Sequence, residues 1–389
     1  MTTTSAAPES ATPEQRHADW LELFFDLVFV AFAAQLSHTL HGDPSPQDFG
    51  VFLALYFPPW WMWINFTVAA NLFADDGARR RLLMLSAMAC LALMAAAVPE
   101  ATGDRGPAYA IGYAGTRFVL LGLWWPATRL TGPMRVPKWR PLGYCLVSGV
   151  LWVVSAFVPG PWRYAMWAVL IVAEVVLLLT ARGSGVARQL HTGHLVERVG
   201  LFVIIVLGES VLSLITSADH TWTARAGVTA LLGFVLLAAL WWSYFDFGTT
   251  AVELMLGAAR GRAAFVLARD VAGFLHFFVT ASVICVAGGL ATAVDEAGHA
   301  HLPQGALIAL AGGLALYHLT HAAIALRYGR TVRSVAVWAV PGVGIPALVV
   351  VFGGHLAPWL VVLVLAAEAI AHLLYAKAMA RRRLVAGMV

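Results

Sequence analysis

The chain has 389 residues, of which 60% are hydrophobic and 12% charged, and its net charge is +4. Soluble domains carry about 25% charged residues, so an ordinary soluble protein is excluded. The basic balance gives no ground for a nucleic-acid partner, because the Arg and Lys residues fall in short loops between apolar runs rather than in one patch.

In chain order, residues 1–19 are polar and lack a basic segment joined to an apolar one, so they read as a disordered cytoplasmic tail rather than a cleaved leader. Runs of bilayer-spanning length follow at 21–40, 49–72, 82–99, 108–127, 142–159, 163–181, 199–217, 227–247, 271–293, 303–326, 335–353 and 358–378. The predicted fold class is therefore all-α, a polytopic membrane protein of about twelve spans. Loops after even-numbered spans hold most of the Arg and Lys, from Arg79-Arg80-Arg81 to Arg381-Arg382-Arg383, whereas those after odd-numbered spans offer Arg105, Arg163 and Arg225. This bias predicts the inner (plasma) membrane with both termini cytoplasmic.

Internal similarity divides the spans into two groups. Glu22 and Glu197 open the first and seventh spans, Trp60-Trp61 matches Trp241-Trp242, and Ala173-Glu174 matches Ala367-Glu368, with offsets of 175, 181 and 194. The expected domains are a first six-helix repeat at 20–181, a cytoplasmic linker at 182–198, a second repeat at 199–380 and a basic cytoplasmic tail at 381–389. Six spans per unit make these parallel repeats.

Ionisable groups inside the spans are the candidate functional residues, since a carboxylate at bilayer depth costs about 2.5–3.5 kcal/mol and needs a partner, a wet cavity or a proton. Glu22 and Asp26 lie four residues apart on one helix face. They form either a proton or cation site or, with Glu22 solvated at the interface, a single buried acid. Arg117, deep in the fourth span, is the expected partner of Asp26 or the anion-binding half of a substrate site. Glu209, near mid-bilayer in the seventh span, is expected to be protonated, to ligate something or to bond an internal partner, with Gly208 admitting a neighbouring helix. Asn65 and Asp246 follow the paired Trp residues, which read as an interfacial aromatic belt. Glu174 and Glu368 are expected to share a type of partner, and His372 lies one turn after Glu368. His276 sits in the ninth span. His318 and His321, three residues apart in the tenth, are weak metal candidates whose alternative is a hydrogen-bonded polar seam. Cys90, Cys145 and Cys285 are expected as small buried side chains. Pro58-Pro59 should kink the second span and free backbone carbonyls.

Three segments carry a family resemblance. Arg16-His17-Ala-Asp-Trp20-Leu-Glu22-Leu-Phe-Phe-Asp26 followed by Gln35-Leu-Ser37, then His194-Leu-Val-Glu197-Arg-Val-Gly200 running on to Gly208-Glu209-Ser210, and Arg269-Asp270 with Phe274-Leu275-His276 resemble the bacterial low temperature requirement protein A family. The resemblance covers residues 16–380. It implies a polytopic membrane protein and no particular reaction, since the family name describes a growth phenotype. Phe24-Phe25-Asp26 also resembles the Phe-Ser-Asp motif that opens each six-helix unit of lysosomal potassium channels of the TMEM class, with Phe25 in place of Ser.

The function read from these residues is transport of a cation, a proton or a small solute coupled to protons. Glu22, Asp26 and Glu209 would bind, and Arg117, Asn65, Asp246 and His276 would line the path. The alternative is a membrane-embedded enzyme using acid/base chemistry on a lipid-soluble substrate, or a structural or stress-related membrane protein. Common hydrolase, nucleotide and zinc-protease motifs are absent. No cofactor is predicted. The expected partners are the lipid bilayer and the transported or reacting small molecule, and a homo-oligomer is compatible with the sequence.

Overall fold

The computed structural model describes residues 19–72, 77–131, 135–180, 192–249 and 262–385. The predicted disordered tail at 1–19 lies, Asp19 apart, outside them, as do most of the linker and the last four residues. Within the described residues the fold is all-helical, with no strand. The first half contains α1 (Trp20–Thr39), α2 (Pro46–Leu72), α3 (Ala78–Ala97), α4 (Gly106–Trp124), α5 (139–155) and α6 (Gly160–Thr180). The second contains α7 (Thr192–His220), α8 (Ala224–Ser243), α9 (262–295), α10 (304–327), α11 (Val332–Phe352) and α12 (Pro358–Val385). Nine of them, α1, α3 and α6 through α12, are long and apolar enough to cross a membrane.

These segments are helical because hydrocarbon offers the backbone no hydrogen-bond partner, so each span must satisfy its own amides. α9 occupies the centre: 94% of its apolar stretch is buried, against 22% for α6 and α11. α1 and α2 of the first half pack on α7 and α9 of the second, and this contact joins the halves. α8 packs along α12, whereas α2 lies across α4 and α7. The crossing of α9 and α10 is close because Gly289 has no side chain; a Cβ there would lie 2.5 Å from the Leu310 nitrogen.

Several helices contain breaks that free carbonyls. Wide π turns interrupt α5 at Leu142–Val147, α9 at Arg269–Leu275 and α10 at Ile308–Gly312, and another, Tyr244–Thr249, extends α8. Pro58 and Pro59 lie inside α2. Pro59 has no N–H to bond the Leu55 carbonyl, and Tyr109 of α4 donates its hydroxyl to that oxygen at 2.6 Å.

The aromatic residues depart from the expected belt in the first half. Trp60, Trp61 and Trp63 are fully buried, whereas Trp241 and Trp242 are 47% and 43% exposed and fit an interfacial position. The cause is polar: the Trp60 indole donates to the Gly273 carbonyl in the π turn of α9 and Trp63 donates to Asp26, so both rings are drawn into the core. Cys90, Cys145 and Cys285 are free thiols, the last two buried.

Gly289→Ala should lower the thermal unfolding midpoint in detergent through overpacking of about 1–3 kcal/mol. Gly344→Ala, whose added methyl meets nothing within 4 Å, should leave the midpoint within experimental scatter.

Candidate functional site

Three buried polar centres collect nearly all the predicted residues. The first joins the halves. Both acids of α1 are completely buried, so Glu22 is not an interfacial residue. Arg80 of α3 donates to Glu22 Oε1 at 2.8 Å, and His194 Nε2 and Arg198 Nη1 of α7 each lie 3.0 Å from Oε2. Asp26 Oδ1 accepts from Arg198 Nη2 and from the Trp63 indole, both at 2.7 Å. Asp26 Oδ2 and Arg198 Nε have no hydrogen-bond partner among the described residues. The expected Asp26–Arg117 pair is thereby corrected.

Arg198 and His194 were assigned to a linker ahead of the seventh span. Helix α7 begins at Thr192, which places both inside it, one turn apart and facing α1. A signal was present in the sequence: a His-x-x-Glu-Arg run directly before an apolar stretch reads equally well as the helix's own first turns. Because a carboxylate only accepts, His194 Nε2 donates to Glu22, and the amide of Asn71 meets its Nδ1 at 3.1 Å. Two buried acids thus face two arginines, with the half-exposed Asp19 3.7 Å from Arg80 at the edge. Arg198 also lies 5.9 Å from the centre of the Trp63 ring, over its face.

The second centre belongs to the first half. Arg117 of α4 faces Glu174 of α6 at 3.3 Å. Tyr113 donates to Glu174 Oε2 at 2.8 Å and Ser148 of α5 to Oε1. Arg117 also donates to the Tyr144 carbonyl in the π turn of α5 at 2.9 Å and stacks over that ring at 4.4 Å. The Tyr144 hydroxyl reaches Asn65 Oδ1 at 2.9 Å, tying this centre to α2.

The third centre lies in the second half. Glu368 of α12 sits 3.2 Å from His318 Nε2 of α10 and 2.8 Å from His372 Nδ1, one turn along its own helix. Glu174 and Glu368 thus have different kinds of partner, a guanidinium and two imidazoles. His321 points elsewhere: its Nδ1 donates to the Tyr317 carbonyl at 2.8 Å and its ring packs on Tyr317 and Tyr244. His276 is buried, with Nδ1 donating to the Val271 carbonyl at 2.8 Å and Nε2 accepting from Tyr244 at 3.0 Å.

Like His276 and His321, two further predicted residues stand apart from these centres. Glu209 is half-buried and makes no hydrogen bond or ion pair among the described residues. Gly208 beside it faces open space rather than a closely packed helix. Asp246 is exposed and accepts from the Trp242 indole at 2.5 Å, with Lys377 over that ring at 3.3 Å.

An all-helical chain with this many bilayer-length apolar segments is a multi-pass α-helical membrane protein. Its sequence matches the family described as bacterial low temperature requirement A protein (LtrA) over residues 17–376, and the chain belongs to that family. It is also 30% identical over 249 residues to the uncharacterized protein RA0937 of Rhizobium meliloti (strain 1021). That alignment covers 60% of this chain and 60% of the relative's length.

Breaking the first centre should be costly. Arg198→Met leaves the buried Asp26 without a cation and Glu22 with Arg80 alone, and should destabilise by about 3–5 kcal/mol. Arg198→Met combined with Asp26→Leu and Glu22→Gln should recover part of that loss, read as the unfolding midpoint by size-exclusion fluorescence.

Proposed function

We propose that the protein is a plasma-membrane transporter or channel for a cation, a proton or a small solute coupled to protons, with the α1–α7 network as its binding centre. Asp26 carries this reading. It is a wholly buried carboxylate with one oxygen clamped by Arg198 and Trp63 and the other, Oδ2, without a donor among the described residues. Leaving a buried acceptor unmade costs about 1–3 kcal/mol, more for a charged group. A clamp selected only for rigidity has every reason to satisfy that oxygen; an ion or proton site has reason to leave it free. Intramembrane ionisable groups of this kind mark ion and proton pathways.

The remaining candidates take roles around it. Glu22 shares Arg198 with Asp26 and sets the charge at the centre. Arg117, Glu174 and Asn65 extend the polar path into α4–α6, and His276 and Glu368 do so in the second half. Glu209 and Asp246 serve as access points where the bundle opens.

The frame is twelve crossings in two parallel repeats, 20–181 and one that starts with α7 and runs to 380, with the linker ahead of α7 and both tails cytoplasmic. In this reading α2, α4 and α5 also cross: prolines and amides lower the hydropathy of α2, Arg117 that of α4, and the π turn interrupts α5. Packing supports the repeat, since α1 lies on α3, α3 on α4 and α4 on α5 as α7 lies on α9, α9 on α10 and α10 on α11. Glu174 faces the fourth helix as Glu368 faces the tenth. The distribution of Arg and Lys supports the orientation.

In proteoliposomes carrying potassium and pH gradients, Asp26→Asn should reduce flux by about tenfold or more at equal incorporation, equivalent to ~1.4 kcal/mol in the barrier. Unchanged flux in a folded variant would make the network a structural clamp instead. For orientation, Ser45→Cys should react with an impermeant maleimide on intact cells and Arg330→Cys only after permeabilisation; the reverse pattern inverts the topology.

A further inference from the structure

The third buried centre has a chemistry beyond the part that Glu368 takes in the transport reading. His318, Glu368 and His372 each offer one ligand atom, and these atoms lie within 4.8 Å of one another. Helices α10 and α12 supply them, with Glu368 and His372 on one face of α12. Glu368 and His318 are almost fully buried, and the His372 side chain is 16% exposed. Two imidazoles and one carboxylate converging inside a helical bundle are a recurring way of binding a metal. With metal–nitrogen and metal–oxygen bonds near 2.0–2.2 Å, ligand atoms around a tetrahedral ion stand about 3.3–3.5 Å apart. The spread here needs only small side-chain adjustment to reach that.

A hydrogen-bonded trio is the competing account, and three observations weigh against it. The 2.8 Å contact between His372 Nδ1 and Glu368 Oε1 lacks hydrogen-bond alignment, so Oε1 has no donor. His372 Nε2 is likewise buried without a partner among the described residues. The two imidazole rings lie 4.3 Å apart, centre to centre, at 35°, an arrangement in which neither ring hydrogen-bonds the other. A carboxylate oxygen with no donor, beside an imidazole that is not aligned to supply one, is what a cation takes up.

Helix α11 is built to make room for this arrangement. A Cβ on Gly342 would lie 2.7 Å from His372 Cε1 and 3.0 Å from His318 Cγ. Any larger residue at that position would push both rings off their present positions. Trp338, one turn before it, stands edge-on to His372 at 6.0 Å and walls the ring on that side.

We propose that His318, Glu368 and His372 form a binding site for a divalent first-row transition-metal ion of the zinc class. Two nitrogens and one carboxylate suit zinc, and the fourth position is left to water or another small ligand. The proposal stands on this geometry and needs no transport activity, so binding rather than flux is measured.

The test uses the full-length protein purified in detergent, stripped with a chelator, and titrated with zinc chloride against a chromophoric indicator. One equivalent should bind per chain. His318→Gln, Glu368→Gln and His372→Gln should each weaken binding by at least 10–100-fold, the loss that removing even an outer-sphere partner brings. Gly342→Ala should weaken it by about tenfold or more, and the exposed-side control His299→Gln should leave it unchanged. Cobalt loaded into the wild-type protein should give the intense visible bands of a tetrahedral site, a readout that does not depend on any variant folding. Failure of the stripped wild type to bind zinc, octahedral cobalt bands, or full binding retained in folded His318→Gln and His372→Gln variants would each overturn the assignment.

Discussion

An arginine cannot rest in hydrocarbon without a carboxylate, and Arg198 sets the relation of the two halves for that reason. Its guanidinium reaches Glu22 and Asp26 together. The two acids lie on adjacent turns of α1, so a fork that touches both fixes the rotation of that helix as well as its height. Sliding α7 by one turn, about 5.4 Å, would leave at least one charge uncompensated. Arg80 and His194 then complete the coordination of Glu22, while Asn71 of α2 fixes the orientation of the imidazole. The balance of two acids and two arginines keeps the desolvation cost of each ion offset by a neighbour.

The same logic is repeated in the other two centres with different chemistry. Arg117 meets Glu174 and is further shielded by the faces of Tyr144 and Tyr113. Cation–π contact suits a guanidinium that has more donors than one carboxylate can engage. Around Glu368 the cation is replaced by two imidazoles, which carry lone pairs as well as protons. That substitution changes what the centre can do: a guanidinium can only neutralise an acid, whereas imidazoles can share with it a third body. Glu174 of α6 and Glu368 of α12 thus each meet an earlier helix of their own half, but with partners of different chemistry.

Much of the fold was legible in the sequence because hydrophobicity over bilayer length is a one-dimensional signal. The spans predicted at 21–40, 82–99 and 335–353 fall within about four residues of α1, α3 and α11. The acids were also legible as anomalies, since Glu22 and Asp26 interrupt an otherwise apolar run. Their partners were not. Helical periodicity tells which residues share a face but carries no information on the rotation and height of a neighbouring helix, so Arg117 was as reasonable a partner for Asp26 as Arg198. Arg198 was further hidden by its polar neighbours, which imitate a loop. Glu209 illustrates the converse: a position near the middle of an apolar helix predicts depth and says nothing of which side the residue faces.

The buried aromatic residues of α2 have a physical reason that their sequence position concealed. Each break in helical hydrogen bonding leaves a carbonyl that a dry core must satisfy. Trp60 caps Gly273 in the π turn of α9, Tyr109 caps Leu55 beside the prolines of α2, and Tyr317 donates to Leu240 just ahead of the π turn that ends α8. Indole and phenol groups suit this work because each brings one donor on a large apolar ring. Since so many of these bonds converge on α2, that helix is tied by polar contacts to α1 through Trp63, to α5 through Asn65, to α7 through Asn71 and to α9 through Trp60 and Tyr56. A displacement of α2 would be felt at the Asp26 oxygen and at the Arg117 centre in the same movement. The double proline removes helical hydrogen bonds from the same element, so side-chain contacts to four other helices hold α2 where its own backbone is weakest.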